Sequence, residues 1–292
     1  MKILKILLII LNHPLNKKRK FSAFIRFIKW QIFSRFFKFP VLLPFTNNSN
    51  YLCWKGLTGI TGNYYYGLME MEEMSFAAHF LSSEDIFYDI GANVGAYSIL
   101  TSSHCECKVY SFEPHPQTFT YLTRNINIQN KSDLIKAFNF GLSDKKEFVS
   151  FSTNLDTVNH VAVDKSVPTI NLEFFVLNEL NLPIPTMIKL DVEGFEYMVL
   201  KGATLLLKNP TLKAIIIEIN GSGIKYGVSD IQIHEFLINF GFKPFTYNPF
   251  HKKLIQLDSF LTHNTIYLRD IEYCEKKIQN SKPLQLANGG IL

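Results

Sequence analysis

With 292 residues and 47% hydrophobic content, the chain can bury one substantial α/β core plus an appendage. Its four cysteines, Cys53, Cys105, Cys107 and Cys274, fall in no C-x-x-C arrangement, which argues against a disulfide framework and for a reducing compartment. The net charge of +5 conceals a division: eleven Lys or Arg and no acid precede Glu70, while the other 19 basic residues face 25 acids, a balance of −6.

The basic end comes first. Ile3–Leu11 is a nine-residue apolar run, well short of the ~20 residues that span a bilayer. Lys17-Lys18-Arg19-Lys20 follows without a small-residue cleavage site, so the segment does not read as a secretory signal. Phe21–Lys38 carries apolar residues at helical spacing, positions 21, 24, 25, 28, 32 and 36, interrupted by Arg26, Lys29, Arg35 and Lys38. Such a helix suits an anionic membrane surface, with Phe21, Phe24 and Trp30 in the headgroup region. It suits equally a cap packed on the catalytic domain. No RNA-binding motif accompanies the charge, which speaks against nucleic acid. The polar, Gly- and Tyr-rich stretch 46–67 predicts a short hairpin and loops, and Leu68–Phe80 a helix leading into the core.

Ile86–Ser98 (IFYDIGANVGAYS) carries the strongest signal. Ile86–Ile90 is the short apolar run of a buried parallel strand, and Gly91-Ala92-Asn93-Val94-Gly95 turns it into a helix beginning near Ala96. Gly91 and Gly95 allow close approach of backbone to a ligand, and Asn93 tolerates the left-handed conformation. A dinucleotide loop wants a glycine where Asn93 stands. An acid two residues before the first glycine suits a ligand without pyrophosphate but with an ammonium for Asp89 to attract, as in S-adenosylmethionine. His104-Cys105-Glu106-Cys107 reads as a plain loop rather than a metal corner. Lys108–Glu113 is the next strand, and Glu113 at its end is placed for the two hydroxyls of a ribose.

Further strands are expected to end near Asn139–Gly141, at Met187–Asp191 and at Ala214–Asn220, with helices near 116–127, 194–208 and 230–240 between them. Phe242–Tyr247, Lys253–Leu257 and Thr265–Arg269 close the domain as a terminal hairpin, and 271–292 reads as a polar, loosely ordered tail. Asp191 ends the fourth strand at the edge where open α/β sheets bind ligands. A period of two puts Glu218 and Asn220 on one side of the fifth strand, so Asp191, Glu218 and Asn220 form an oxygen-rich set suited to magnesium. His160, in the Leu155–Val161 patch, is the alternative: a general base acting with Asp191. Glu193 and Glu196 are expected to serve the helix dipole.

FYDIGANVGAYS, FEPHPQTFTYLTRNI, the GLSD of Gly141–Asp144 and IKLDVEGFEYMVLKGA together resemble the FkbM family of S-adenosylmethionine-dependent methyltransferases, from about Gly62 to Asp270. The resemblance implies a class I methyltransferase (Rossmann-like) fold. In it, a doubly wound α/β sheet, mostly parallel with a terminal antiparallel hairpin, follows an N-terminal basic helical cap. The divisions expected are 1–80 for arm and cap, 81–270 for the methyltransferase domain and 271–292 for the tail. The resemblance also implies O-methylation of hydroxyl groups, often on sugars, so the expected acceptor is a glycan, glycolipid or related natural product. In the cofactor site Asp89, Gly91, Asn93 and Gly95 are expected around the amino-acid moiety, Glu113 at the ribose, and Gly141 to Asp144 at the adenine. Two other classes stay open. One is a nucleotide-sugar or NAD-dependent enzyme, against which Asn93 stands. The other is a catalytically silent, membrane-tethered domain, against which Asp89, Glu113 and Asp191 speak. The expected location is the cytoplasm, at the inner face of the membrane where the basic arm binds lipid.

Overall fold

The computed structural model describes residues 2–36, 39–152, 161 and 168–292. His160 and the rest of the Leu155–Val161 patch except Val161 therefore lie outside the described residues. The chain opens with helices α1 (Lys2–Asn12) and α2 (Lys20–Phe36), the antiparallel pair β1 (Val41–Pro44) and β2 (Asn50–Cys53), and helices α3 (Thr58–Tyr66) and α4 (Met71–Phe80). The stretch expected to be hairpin and loops thus contains a helix, α3. Its glycines and aromatics are poor helix formers, but contacts from α2 hold it: Arg26 donates to the carbonyls of Tyr64 and Tyr65 at 3.2 and 3.3 Å.

The core alternates strand and helix: β3 (Ile86–Ile90), α5 (Ala96–His104), β4 (Lys108–Phe112), α6 (Pro116–Asn127) and β5 (Ile135–Phe138). The strand expected to end near Asn139–Gly141 is two strands. β5 stops at Phe138, and β6 (Gly141–Ser143) enters a separate three-stranded sheet with β7 (Glu147–Ser152) and β8 (Thr169–Val176). Then come β9 (Met187–Leu190), α7 (Glu196–Gly202), α8 (Thr204–Lys208), β10 (Ala214–Glu218), α9 (Asp230–Asn239), β11 (Lys243–Asn248), β12 (Lys253–Gln256), β13 (Asn264–Leu268) and α10 (Ile271–Gln279). The helix expected over 194–208 is broken at Ala203.

The eight-stranded sheet runs β12-β11-β13-β10-β9-β3-β4-β5. Its five strands from β10 to β5 are parallel, and β13 inserts antiparallel beside β10. This is the doubly wound class I methyltransferase order, with the reversal of direction between β3 and β9. Both faces are covered, so alternate residues feed two cores: Phe87, Val109, Met187 and Ile216 on one side, Tyr88, Ile90, Ile188 and Ile217 on the other.

The first 80 residues share the first of these cores, through Ile10, Trp30, Tyr51, Ile60, Phe76 and Phe80. The tail is ordered rather than loose. Cys274 and Ile278, one helical turn apart on α10, are buried, and so are Leu284, Leu286 and Leu292. It clamps the N-terminal layer: Ala287 N–H donates to the Phe45 carbonyl at 3.0 Å, and Asn288 Nδ2 to the Tyr66 carbonyl at 3.0 Å. Its polar composition hid that spacing. All four cysteines are buried and free. No helix among the described residues is long and apolar enough to cross a membrane.

Candidate active site

Four chain segments meet at the carboxyl edge of the sheet, where the strand order reverses and open α/β sheets take their ligands. Gly91–Val94 follows β3, Glu113–His115 follows β4, Asp191–Glu193 follows β9, and β10 ends at Glu218. With α3, Glu70 and Tyr97 they line a cavity of about 260 Å³, near the lower end of small-molecule sites, which run about 300–1,000 Å³.

The glycine loop is fixed from below. Gly91 has φ +77°, and a Cβ there would run into the Asp191 carbonyl, so both conformation and the neighbouring strand require glycine. Asn93, at φ +51°, supplies the left-handed step. Gly91 N–H and Ala92 N–H both donate to the Phe112 carbonyl at 3.0 Å, which ties the loop to the end of β4. Glu113 completes the tie: Oε2 accepts from Asn93 N–H at 3.0 Å and Oε1 from His115 N–H at 2.9 Å. Burial pushes the Glu113 carboxyl up to about 7, although both backbone bonds pull it down.

A second cluster crosses from β9 to α4 and α5. Lys189 stands beside Asp89 in the β3–β9 register and sends its ammonium to Asp191 Oδ2 at 2.9 Å. The same ammonium lies 5.3 Å over the ring of Tyr97, whose hydroxyl donates to Glu70 Oε2 at 2.6 Å. Burial works against the Lys189 charge, but Asp191, Asp89 and Glu70 outweigh it and raise its pKa. Burial raises the carboxyls of Glu70, of Glu193 (to about 7) and of Glu218 (to about 8), with Asp191 adding to each shift and Glu193 and Glu196 adding to that of Glu218. Five carboxylates, Glu70, Glu113, Asp191, Glu193 and Glu218, thus line the cavity, against one lysine and no arginine among the described residues.

The expected site residues separate on this geometry. Gly91, Asn93, Glu113, Gly141, Asp191 and Glu218 line the cavity. Gly95 does not: it caps α5 at φ +92°, and a Cβ there would press on Leu122. Asp89 lies behind the wall, where Oδ2 accepts from Ser98 N–H at 3.0 Å and from the Ser98 hydroxyl. It shares with Phe87 the face of β3 turned to α5, and its Oδ2 fixes the first turn of that helix. Asp144 is paired with Lys201, which holds its carboxyl low in spite of partial burial, and so ties β6 to α7 outside the cavity.

The expected metal set is also corrected. β10 ends at Glu218, so the period of two no longer holds at Asn220, which is exposed and accepts from Ser222 N–H at 3.0 Å. Glu196 takes its place: one oxygen each of Asp191, Glu196 and Glu218 lie within 4.8 Å of one another. That set fits magnesium poorly. The Lys189 ammonium already occupies Asp191, and Glu196 Oε1 accepts from Val192 N–H at 2.9 Å and Gly194 N–H at 3.1 Å. Lys189 and Tyr97 were missed as site residues. Lys189 had a readable signal, since a lysine inside a fully buried strand needs carboxylate partners; Tyr97 had none.

The donor set fits S-adenosylmethionine. A sulfonium and an ammonium are drawn to a carboxylate-lined cavity that would repel a pyrophosphate. Phe112, Phe140, Leu142 and Phe174 supply an apolar section for a base, and Glu113, next to Phe112 in the chain, is bonded to the glycine loop at Asn93 N–H.

Comparison with known proteins agrees. The chain is 29% identical to a hexuronic acid methyltransferase of Haloferax volcanii over 141 residues, 47% of this chain and 56% of that one. It is 31% identical to a tRNA (guanine(37)-N(1))-methyltransferase of Batrachochytrium dendrobatidis over 91 residues, 30% of this chain and 18% of that one. The chain thus spans little more than half, or less, of the curated relatives it matches. Among solved structures, an FkbM methyltransferase from Methylobacillus flagellatus KT superposes at a TM-score of 0.44 with 15% identity, covering 65% of this chain and 44% of that one. The sequence profile of the methyltransferase FkbM domain matches residues 89–244, more than half of the chain, from the glycine loop through β11. The chain belongs to the FkbM methyltransferase family.

Proposed function

We propose that the chain is an S-adenosylmethionine-dependent O-methyltransferase whose acceptor is a sugar hydroxyl of a glycan, glycolipid or related natural product. The observation that carries this reading is the acid-lined cavity under the FkbM glycine loop, with five carboxylates and one lysine among the described lining residues. The similarity to a hexuronic acid methyltransferase supports a sugar acceptor.

When bound, S-adenosylmethionine would supply a sulfonium methyl open to attack by an acceptor oxygen, the thioether S-adenosylhomocysteine being the leaving group. The protein's part is to orient, to exclude water and to move a proton. Glu113 holds the ribose hydroxyls while its backbone bonds keep the glycine loop in place. The Phe140 and Leu142 segment beside Gly141 receives the adenine. Glu218 takes the acceptor proton: it lines the cavity beside Asp191, its Oε2 has no hydrogen-bond partner among the described residues, and its carboxyl is raised to about 8. Asp191, paired with Lys189, adds its charge to the burial that raises the Glu218 carboxyl.

Transfer of labelled methyl from S-adenosylmethionine into a glycan fraction tests the reading. It is supported by turnover that a chelator leaves unchanged. No transfer to any glycan, with S-adenosylmethionine bound, would reject the acceptor class.

A further inference from the structure

The helix α2 is apolar on two opposite faces. Its inner face, Ala23, Phe27 and Trp30, packs on α3, with Phe27 against Tyr65 at 5.6 Å and Trp30 against Tyr64 at 6.4 Å between ring centroids. Trp30 is thereby only 6% exposed, which removes it from the set expected to meet a membrane. The outer face repeats every three to four residues, and all of it is exposed: Phe21 at 79%, Phe24, Ile28, Ile32, and Phe36 at 77%. α1 adds Leu4 at 62%, Leu8 and Ile9, while burying Ile10. A helix with apolar stripes on opposite sides normally has both of them covered.

Charge identifies what covers this one. Lys5, Lys17, Lys18, Lys20 and Lys29 are exposed, and none is ion-paired among the described residues. No acid occurs before Glu70. A second copy on this face would set one all-basic segment against another. An anionic lipid surface matches both the apolar stripe and its cationic flanks.

We infer that α1 and α2 form an interfacial platform that seats the protein on an anionic bilayer, with Phe21, Phe24, Ile28, Ile32 and Phe36 entering the headgroup layer. The platform backs directly onto the candidate active site. α3 carries α2 on Tyr64 and Tyr65, and presents Gly59, Ile60 and Asn63 to the cavity. Two layers of helix, α2 and α3, with axes about 8–10 Å apart, therefore separate the bilayer surface from the cavity.

Vesicle flotation of the full chain tests this without removing α2, whose inner face is part of the core. Mixed phosphatidylcholine–phosphatidylserine vesicles should carry the protein upward at low salt, and pure phosphatidylcholine vesicles should not. Each lysine near such a surface contributes roughly a fivefold factor in partition, so changing Lys17, Lys18 and Lys20 together to Gln should weaken binding roughly hundredfold. A variant with Phe21, Phe24, Ile28 and Ile32 changed to Ser should lose flotation. It should still melt cooperatively, because the inner face that anchors α2, Ala23, Phe27 and Trp30, is kept. Equal flotation of parent and both variants would overturn the inference. So would a parent that is dimeric without lipid and a serine variant that is monomeric, with neither binding vesicles, since a second copy would then be the occupant.

Discussion

Replacing Glu113 by glutamine separates the ligand role of this residue from its structural one. The carboxylate accepts from two backbone N–H groups, at 2.9 and 3.0 Å, and is 7% exposed. Glutamine keeps one of those bonds and turns its amide nitrogen toward the other N–H, which leaves a buried donor unpaired at about 1–3 kcal/mol. The opposing effect is of similar size. With the carboxyl raised from 4.5 to about 7, ionising it above that pH costs the folded state about 3 kcal/mol at roughly 1.4 kcal/mol per unit, and glutamine does not ionise. The variant should therefore fold with a thermal midpoint within a few degrees of the parent at pH 8. A nucleoside ligand has no such compensation. Losing a charge-assisted pair to the ribose costs about 1.5–3 kcal/mol, or roughly ten- to hundredfold in affinity. Calorimetric titration of parent and Glu113→Gln with S-adenosylhomocysteine measures it. The analogue lacking the 2′-hydroxyl should bind the variant nearly as well as the full ligand does. An affinity unchanged within twofold would refute the ribose role and leave Glu113 as a loop anchor only.

The other predictions concern charge. Glu113, Glu193 and Glu218 have raised pKa values, about 7, 7 and 8, and a bound cation favours their ionised forms. Affinity for S-adenosylmethionine should then rise as pH goes from about 6 to 8, with protons released on binding near pH 7; calorimetry in buffers of different ionisation enthalpy counts them. Glu218→Gln should abolish methyl transfer while leaving cofactor affinity within a few fold. Because the folded pKa of Glu218 lies above its unfolded value, the folded state holds the proton longer, and the glutamate destabilises the fold progressively as pH rises from about 4.5 to 8. The variant should accordingly gain stability over that window and hold the gain above it, by about 1–2 kcal/mol once solvent screening is allowed for. Thermal melts at pH 5 and pH 8 check the sign. Lys189→Met removes the cation shared by Glu70, Asp89 and Asp191 and should destabilise by roughly 3–5 kcal/mol, seen in denaturant titration.

The sheet was legible because strands buried on both faces are nearly continuous apolar runs, as in Ile86–Ile90 and Ala214–Glu218. The same regularity placed Glu113 and Asp191 correctly at strand ends. What failed depended on contacts between distant segments. α3 forms on a sequence of glycines and aromatics because Asn16 and Arg26 bind its last carbonyls. The tail is ordered because Leu284, Leu286 and Leu292 fall under the β1–β2 layer, which composition alone does not reveal. On α2 the spacing of apolar residues was read correctly and says nothing of which face points inward; the stripe proved to be the outer one. Asp89 and Asp144 stand in the motifs where a ligand contact is expected, and the structure uses both to fasten helices.

Calorimetric titration of the purified full chain with S-adenosylmethionine, set beside NAD and a nucleotide sugar, tests the central claim most directly. An acid-lined cavity predicts micromolar or tighter binding of the sulfonium nucleoside, weakened by Glu113→Gln, and no measurable heat from either pyrophosphate ligand. Binding of NAD or the nucleotide sugar, with S-adenosylmethionine giving none, would contradict it.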